Sequence, residues 1–468
     1  MVHRFGRCDG NVTDALSTNR MATRLVFTKL VVSHEVTILL RELQDRYGSW
    51  VSKALLPATG ATARICWPGK TAFDSDAGLY VGPDAVRWLW CKPPPGTANF
   101  PADFRIEGVT AAGVTEDGRR FDLARCAVSA LSLACSVGAT ASINMLLRVE
   151  DAVLILPTNT IVAGPAEVHW VLTNALFSGD SLSPLPGGGQ RADTVRFRSP
   201  TREWILRLLP TFGDVERIAL LNGAVKQLPT AELVTTIASV AEVENAEVEA
   251  HAVTRLLSLA TGSSVAGGAR RIFQTERLVE EAFFEWPMFG GAESASTHAL
   301  VINGGLLGGA LTQFLNEACG QFLANDPVLA FTNAIGYLEL ARTSPVIEAR
   351  IILCILALEL LTYRLCLSLG RTVEQLAGKS IQEKLNTARG QLRMGFIDKR
   401  FAEDTRAAVR NPLMHSGVIP ALTMPEKVRW AEELYALAFR MLLFLFGYQG
   451  KWLDPTNEWQ PTVAPQPA

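Results

Sequence analysis

Residues 410–417 hold an arginine and a histidine five positions apart, in the sequence Arg-Asn-Pro-Leu-Met-His-Ser-Gly. An imidazole exchanges protons near neutral pH, so His415 can take a proton from an RNA 2′-hydroxyl or give one to the leaving 5′-oxygen. The guanidinium of Arg410 can hold phosphate oxygens and stabilise the additional negative charge of the transition state. Neither role needs a metal ion. The pair therefore predicts phosphodiester cleavage that leaves a cyclic phosphate.

The spacing of this pair leaves its geometry open. On an unbroken α-helix the two side chains point about 140° apart and do not share a site. Asn411-Pro412 predicts a break, because the residue before a proline avoids the helical region and Asn411 can cap a new turn begun by Pro412. Arg410 and His415 then converge within one chain or meet their counterparts across a dimer axis. The structural alternative is that His415 is only a cation at a helix C-terminus.

Charge is divided unevenly along a nearly neutral chain. The total is 44 Lys+Arg and 46 Asp+Glu, a net charge of −2, which excludes nucleic-acid binding by bulk charge alone. Residues 364–410, however, contain ten Lys/Arg against five Asp/Glu, a net +5. Residues 342–468 contain 16 Lys/Arg and 12 Asp/Glu, a net charge of +4. Residues 1–341 contain 28 Lys/Arg and 34 Asp/Glu, a net charge of −6. This basic segment predicts side chains that contact RNA, although charge runs are usually solvated faces. The candidates are Lys379, Lys384, Arg389, Arg393 and Arg406.

The elements that position these residues indicate an α+β multidomain chain. A length of 468 residues predicts two to four domains, and 48% hydrophobic with 19% charged residues is typical of a globular protein. The pattern predicts a flexible N-terminus (1–20), a β-rich N-terminal domain (21–190), a mixed, mainly helical middle region (194–310), a helical bundle (311–450) and a disordered Pro-rich tail (451–468).

Particular segments carry this assignment. Arg24–Val32 and Gly78–Gly82 read as strands between turn residues, and Ser181–Gly189 reads as a loop at a domain boundary. Thr230–Ala260 has apolar residues at helical spacing. In the bundle, Asp326-Pro327 and Ser344-Pro345 predict helix starts, and Pro345–Leu369 and Met424–Tyr448 predict long apolar helices.

Other kinds of site find no support in the sequence. The six histidines lie far apart, and no P-loop, dinucleotide fingerprint or G-x-S-x-G elbow is present, so we expect neither metal nor cofactor. Eight cysteines without C-x-x-C, and an N-terminal stretch without an apolar core, predict a reducing, cytoplasmic setting. Cys126–Leu147 and Ser294–Asn316 are uncharged and long enough to span a bilayer. Their polar residues favour burial, and we expect no stable membrane insertion, with membrane association as the rival.

The C-terminal part of the sequence resembles a known family. Arg410-Asn-Pro-Leu-Met-His415 resembles the R-x4–6-H signature of HEPN domains, and Ala357-Leu-Glu-Leu-Leu361 resembles the A-L-E-x-L segment of their preceding long helix. The order of elements is most similar to that of ApeA-like HEPN proteins, in which a large N-terminal domain precedes the bundle. The resemblance covers Leu311–Tyr448.

This resemblance implies a metal-independent endoribonuclease of the toxin or anti-phage type, with a composite site formed by a homodimer. It implies that Arg410 and His415 are the catalytic pair, that Asn411 is the adjacent polar residue and that Glu359 orients the site. For Glu359 the alternative is an ion pair with Arg364 inside one helix. RNA is the expected substrate, with tRNA as one candidate, and a phage-derived or nucleotide trigger is expected at the N-terminal region. Some HEPN bundles only bind nucleotides, RNA or partner proteins, and that alternative stays open.

Overall fold

The computed structural model contains both β-sheets and α-helices, so the expectation of a chain of mixed class is confirmed. It divides into two compact units, Met1–Thr158 and Asn159–Ala468. The predicted flexible N-terminus (1–20) and the predicted strand Arg24–Val32 lie outside the described residues. Described are residues 59–66, 72–81, 87–91, 109–115, 118, 120–134, 142–155, 163–184, 190–210, 212, 213, 217, 220, 228–283, 302, 309–397 and 409–466.

The described residues of the first unit form six antiparallel strands that close into a ring. Pairing runs from β1 through β2, β3, β6, β5 and β4 and returns to β1. Side chains alternate along β1, where Ala63 and Ile65 are buried and Arg64 is exposed, as expected for a strand with one covered face. The strands are β1 (Thr59–Cys66), β2 (Phe73–Val81), β3 (Arg87–Cys91), β4 (Val109–Thr115), β5 (Arg120–Ala134) and β6 (Ser142–Ile155).

The second unit begins with a seven-stranded antiparallel sheet in the order β13-β12-β7-β11-β10-β9-β8. The prediction of a mainly helical region over 194–310 is wrong, because the described part of it holds most of five strands and one long helix. The predicted boundary at 190 is wrong as well, since β8 pairs with β9 inside this sheet. The strands are β7 (Ala166–Thr173), β8 (Ser181–Pro184), β9 (Gln190–Arg198), β10 (Glu203–Leu208), β11 (Pro229–Ile237), β12 (Ala266–Gln274) and β13 (Arg277–Phe283).

One error in the middle region has a clear physical cause. The apolar residues after Thr230 fit helical spacing, but they form β11, which lies between β7 and β10. Residues 230–235 are all buried, so neither face of the strand shows the polar alternation that identifies a half-exposed strand. The helix α1 (Val243–Thr261) follows and ends at Gly262, whose left-handed φ of 63° gives the predicted glycine stop.

The remaining helices form a bundle around α4. This helix contacts α2, α3, α6 and α8, and aromatic side chains fill the core, with Phe331 and Phe446 at a centroid distance of 4.8 Å. By length and composition α4 could also cross a membrane, and half of its most apolar stretch is buried within the fold. The helices are α2 (Ala310–Leu329), α3 (Phe331–Thr343), α4 (Ile347–Ser368), α5 (Val373–Leu376), α6 (Ile381–Leu392), α7 (Asn411–Ser416) and α8 (Met424–Leu445).

The uncharged runs that suggested membrane spans are placed differently. Cys126–Leu147 falls largely on β5 and β6, and the described part of Ser294–Asn316 includes the first turns of α2. Asp326-Pro327 does not start a helix, because α2 continues through Pro327 to Leu329. Asp326 instead accepts a hydrogen bond from the backbone N–H of Thr332 at 2.7 Å, so this carboxylate caps the following helix.

The tail predicted to be disordered from 451 onward forms a hairpin of β14 (Lys451–Asp454) and β15 (Gln460–Val463). Trp452 is fully buried and stacks on Phe439 of α8 at 5.0 Å, and Arg440 donates a hydrogen bond to Asp454 at 2.6 Å. Two of the prolines that suggested disorder are accommodated by this hairpin: Pro455 begins a 3₁₀ turn (Pro455–Asn457) and Pro461 lies in an edge strand, where a missing N–H costs little.

Helix α1 joins the sheet to the bundle, contacting β7, β11 and β12 as well as α2 and α3. Its Arg255 is completely buried and lies 3.5 Å from the carboxylate of Glu339 on α3. The hydroxyl of Ser264 donates to the same carboxylate at 2.9 Å, and the Arg255 guanidinium donates to the Val265 carbonyl at 3.2 Å. The two layers of this unit therefore share a buried ion pair.

Candidate functional site

The short helix α7 presents the Arg410–His415 segment between two anchors. Val409 and Leu413, four residues apart, are buried and fix one face of the turn. Gly417 has a φ of 73°, a left-handed conformation that favours glycine, and its N–H donates to the Leu413 carbonyl at 2.9 Å. The buried Val409 and Leu413 therefore set the orientation of the helix. Met414 and His415 are exposed.

Arg410 precedes α7 in helical conformation, with φ −64° and ψ −50°. The prediction that Asn411-Pro412 breaks the helix is wrong, and Asn411 is the first helical residue rather than a side-chain cap. The physical reason is that Pro412 lies in the first turn, where backbone N–H groups have no partner within the helix and proline is tolerated. A π-turn at 409–410 leads into this proline.

The guanidinium of Arg410 is fixed by α4. Its Nε donates a hydrogen bond to Glu359 Oε1 at 2.6 Å, and both side chains are about one-quarter to one-third exposed. The carboxylate of Glu359 thus pairs with a residue 51 positions away that adjoins another helix. The alternative was an ion pair with Arg364 within α4. The bond occupies Nε, and no described residue accepts a hydrogen bond from either Nη, so both remain available to an anion.

The imidazole of His415 lies on the exposed side of α7, in its last turn. Among the described residues none forms a hydrogen bond with it, and none links it to Arg410. Arg410 faces α4 while His415 is exposed, as the 140° separation on a continuous helix requires. The two alternatives therefore stay predictions: convergence of the two side chains on one substrate within a chain, or a meeting with their counterparts across a dimer axis.

Two basic groups lie along one face of α4. Arg410 contacts Glu359, and the ammonium of Lys384 on α6 lies 5.5 Å from the ring centroid of Tyr363. Glu359 and Tyr363 are four residues apart, so their side chains are neighbours on the helix surface. Arg410 and Lys384 thus flank the same stretch of α4. Tyr363 is not among the residues that the sequence predicted for this site. Its i, i+4 spacing from Glu359 was the signal that could have placed it on the same face of α4.

The other basic candidates are more scattered. Lys379 is exposed and pairs with Glu383 at 3.2 Å, which reduces its value as an anion contact. Arg389 is half-buried in the last turn of α6, and Arg393 ends that helix, exposed, with a left-handed φ of 55°. Arg406 lies outside the described residues.

The requirements of metal and thiol sites also bear on the described part of the chain. It contains no group of three or more His, Cys, Asp or Glu side chains arranged to hold a metal ion, and its six cysteines are free. Burial raises the pKa of Cys354 to about 12, so this thiol stays protonated. In comparisons with protein-family models, with curated proteins and with solved structures, the chain matches none.

Proposed function

We propose that the chain is a metal-independent endoribonuclease of the HEPN type, with Arg410 and His415 as its catalytic pair. The observation that carries this proposal is the 2.6 Å bond from Arg410 to Glu359, beside a short helix that leaves His415 exposed. An anchored guanidinium and an accessible imidazole are the two groups that cleavage by 2′-hydroxyl attack requires.

The proposed reaction is an internal transesterification. Imidazole removes the proton of the 2′-hydroxyl, the O2′–P bond forms, the P–O5′ bond breaks, and the departing O5′ takes up a proton from an imidazolium. The Nη groups of Arg410 stabilise the charge on the non-bridging oxygens, with Lys384 close by on the same face of α4. The products are a 2′,3′-cyclic phosphate and a 5′-hydroxyl.

A second copy of the chain completes the site in this proposal. Because Arg410 and His415 face different directions in one chain, one protomer can supply guanidinium and its partner imidazole. Three apolar side chains near the motif support such a contact, since Met414, Val418 and Met424 are 56%, 49% and 60% exposed. A homodimer would remove this surface from water.

The wider assignment follows the same resemblance. We place the HEPN-type bundle at 311–450 and a sensing or restraining role in the β-rich region before it, with a phage-derived or nucleotide trigger. The order of elements supports this division, because residues 410–415 lie between α4 and α8, two helices of 22 residues each. The protein is then a cytoplasmic effector that cuts RNA once triggered, with tRNA as one candidate substrate.

The direct test incubates the purified chain with total RNA and with tRNA in the presence of EDTA. We expect cleavage with 2′,3′-cyclic phosphate ends, and we expect Arg410→Ala and His415→Ala each to reduce the rate at least 100-fold, given the usual value of acid–base and charge stabilisation. Detection of the cyclic phosphate by end-specific ligation identifies the chemistry.

The matched control is Arg371→Ala, which removes an exposed arginine of the same basic segment. It should leave the rate within about twofold of the wild type. If Arg410→Ala and His415→Ala cut as fast as this control, the nuclease proposal is wrong. Because the effector can require a trigger, toxicity on expression in cells, abolished by His415→Ala, is the companion assay.

One observation favours the non-catalytic alternative, a HEPN scaffold that binds nucleotide, RNA or a partner protein. The carboxylate of Glu359 offsets the charge of Arg410, as expected of a structural ion pair between helices. In that case Arg410→Ala should lower the melting temperature while His415→Ala changes neither ligand affinity nor biological activity.

A further inference from the structure

A cavity of about 230 Å³ lies in the bundle, away from the Arg410 segment. It is bounded by the end of α3, the first turns of α4, the first half of α8 and the C-terminal hairpin. Apolar and aromatic groups form much of its wall, among them Ile347, Cys354, Val428, Tyr435 and Trp459. A concave, mainly apolar site with a few placed polar groups is the usual form of a small-molecule site.

Two guanidinium groups line this cavity, and each makes a contact that limits its orientation. Arg342 lies over the ring of Tyr435, 5.5 Å from its centroid, and donates to the Tyr435 hydroxyl at 3.4 Å. Arg350 donates from Nε to the backbone carbonyl of Ser344 at 2.7 Å. That bond leaves the two Nη groups of Arg350, and within the described residues no carboxylate pairs with them. Guanidinium groups whose orientation is limited bind a carboxylate or phosphate with less loss of side-chain freedom.

The other ionisable groups of the wall limit the kinds of ligand that the cavity can bind. Cys354 stays protonated, so a covalent or metal-thiolate role is excluded for it. The acidic lining residue is Glu432, and burial, followed by the neighbouring Glu433, raises its pKa. Two arginines against this one acid leave an excess of positive charge beside an apolar wall.

We propose that this cavity binds a small organic anion in which a carboxylate or phosphate is joined to a flat apolar ring. The anionic group lies between Arg342 and Arg350, and the ring packs against the wall formed by Ile347, Val428 and Trp459. This site is separate from the Arg410–His415 pair and does not depend on the proposed nuclease activity.

The test measures binding to the full chain by calorimetry and by thermal shift. The probes are indole-3-acetate, which carries a carboxylate, and phenyl phosphate; indole-3-acetamide is the uncharged control. We expect saturable binding of at least one anionic probe, at least tenfold tighter than the amide. The probe that binds more tightly then shows whether the site prefers a carboxylate or a phosphate.

Two variants and a control locate the site. Arg350→Gln should weaken the bound probe at least tenfold, and Val428→Trp, at a position 40% exposed at the cavity, should abolish binding by filling it. Val373→Trp, at a valine 56% exposed on α5, should bind like the wild type. Absence of saturable binding at millimolar probe, equal binding of the amide, or binding unchanged in Val428→Trp would each overturn the proposal.

Discussion

The bond between Glu359 and Arg410 has two opposed effects on a bound phosphate. It fixes the guanidinium in one orientation, which lowers the entropy lost when an anion binds to the Nη groups. It also places a negative charge near that anion, which weakens the attraction. The balance between these effects decides whether Glu359 assists the chemistry or only joins α4 to α7.

Replacing Glu359 by glutamine separates the two effects. Glu359→Gln keeps the size and a hydrogen-bond acceptor but removes the charge, so we expect the free energy of unfolding to fall by about 1 kcal/mol, as for a partly exposed pair. If orientation dominates, RNA cleavage falls several-fold as well. Urea unfolding and the cleavage assay measure the two quantities. Glu276→Gln, at an exposed glutamate in the turn between β12 and β13, should change neither.

The buried pair of Arg255 and Glu339 leads to a prediction about pH. Arg255→Met leaves a buried carboxylate without its cation, so the free energy of unfolding at pH 7 should fall by about 3–5 kcal/mol. Burial raises the pKa of Glu339 in the folded state, an effect that Arg255 opposes. The folded chain therefore binds this proton more tightly than the unfolded chain, and the variant gains stability as pH falls.

The loss caused by Arg255→Met should consequently be smaller at pH 5 than at pH 7, as measured by urea unfolding at both values. The double variant Arg255→Met/Glu339→Leu should recover much of the stability, because no buried charge remains. Arg371→Met, which removes an exposed arginine, is the control. An equal loss at both pH values would contradict the assignment of the effect to Glu339.

The C-terminal hairpin contributes to the bundle core. Trp452 is fully buried against Phe439, and Arg440 binds Asp454. We expect Trp452→Ala to lower the free energy of unfolding by about 3–5 kcal/mol, the range for a large side chain removed from a core. Val463→Ala, at an exposed position of β15, should change it by less than about 0.5 kcal/mol. Similar effects of the two substitutions in denaturant titrations would show that the hairpin is not part of the core.

The chain divides into two compact units, and each contains fully buried apolar residues. We expect two calorimetric transitions. Ile65→Ala, at a fully buried position of β1, should lower one transition, and Leu358→Ala, at a fully buried position of α4, should lower the other. If either substitution shifts both transitions by the same amount, the units unfold as a single cooperative body.

Local signals predicted the bundle better than the sheets. The long helices α4 and α8 follow from apolar periodicity, and Gly262 ends α1 as glycine predicts. Strand β11 was missed because burial on both faces removes the alternation on which strand prediction depends. The hairpin of 451–463 was missed because its stability comes from Trp452 packing on a distant helix. For the same reason the sequence could propose Glu359 but could not say that it contacts Arg410.

The closed ring of six strands in the first unit limits how a partner can recognise it. Each described strand of this ring is hydrogen-bonded to a neighbour on both sides, and β3 pairs with β6 over the five positions from Arg87↔Val149 to Cys91↔Met145. Along these paired stretches the backbone groups are already taken up and offer no template for an added strand. A protein or peptide that engages the paired stretches must therefore recognise their side chains, so the specificity of binding can change by substitution without disturbing the strand pairing.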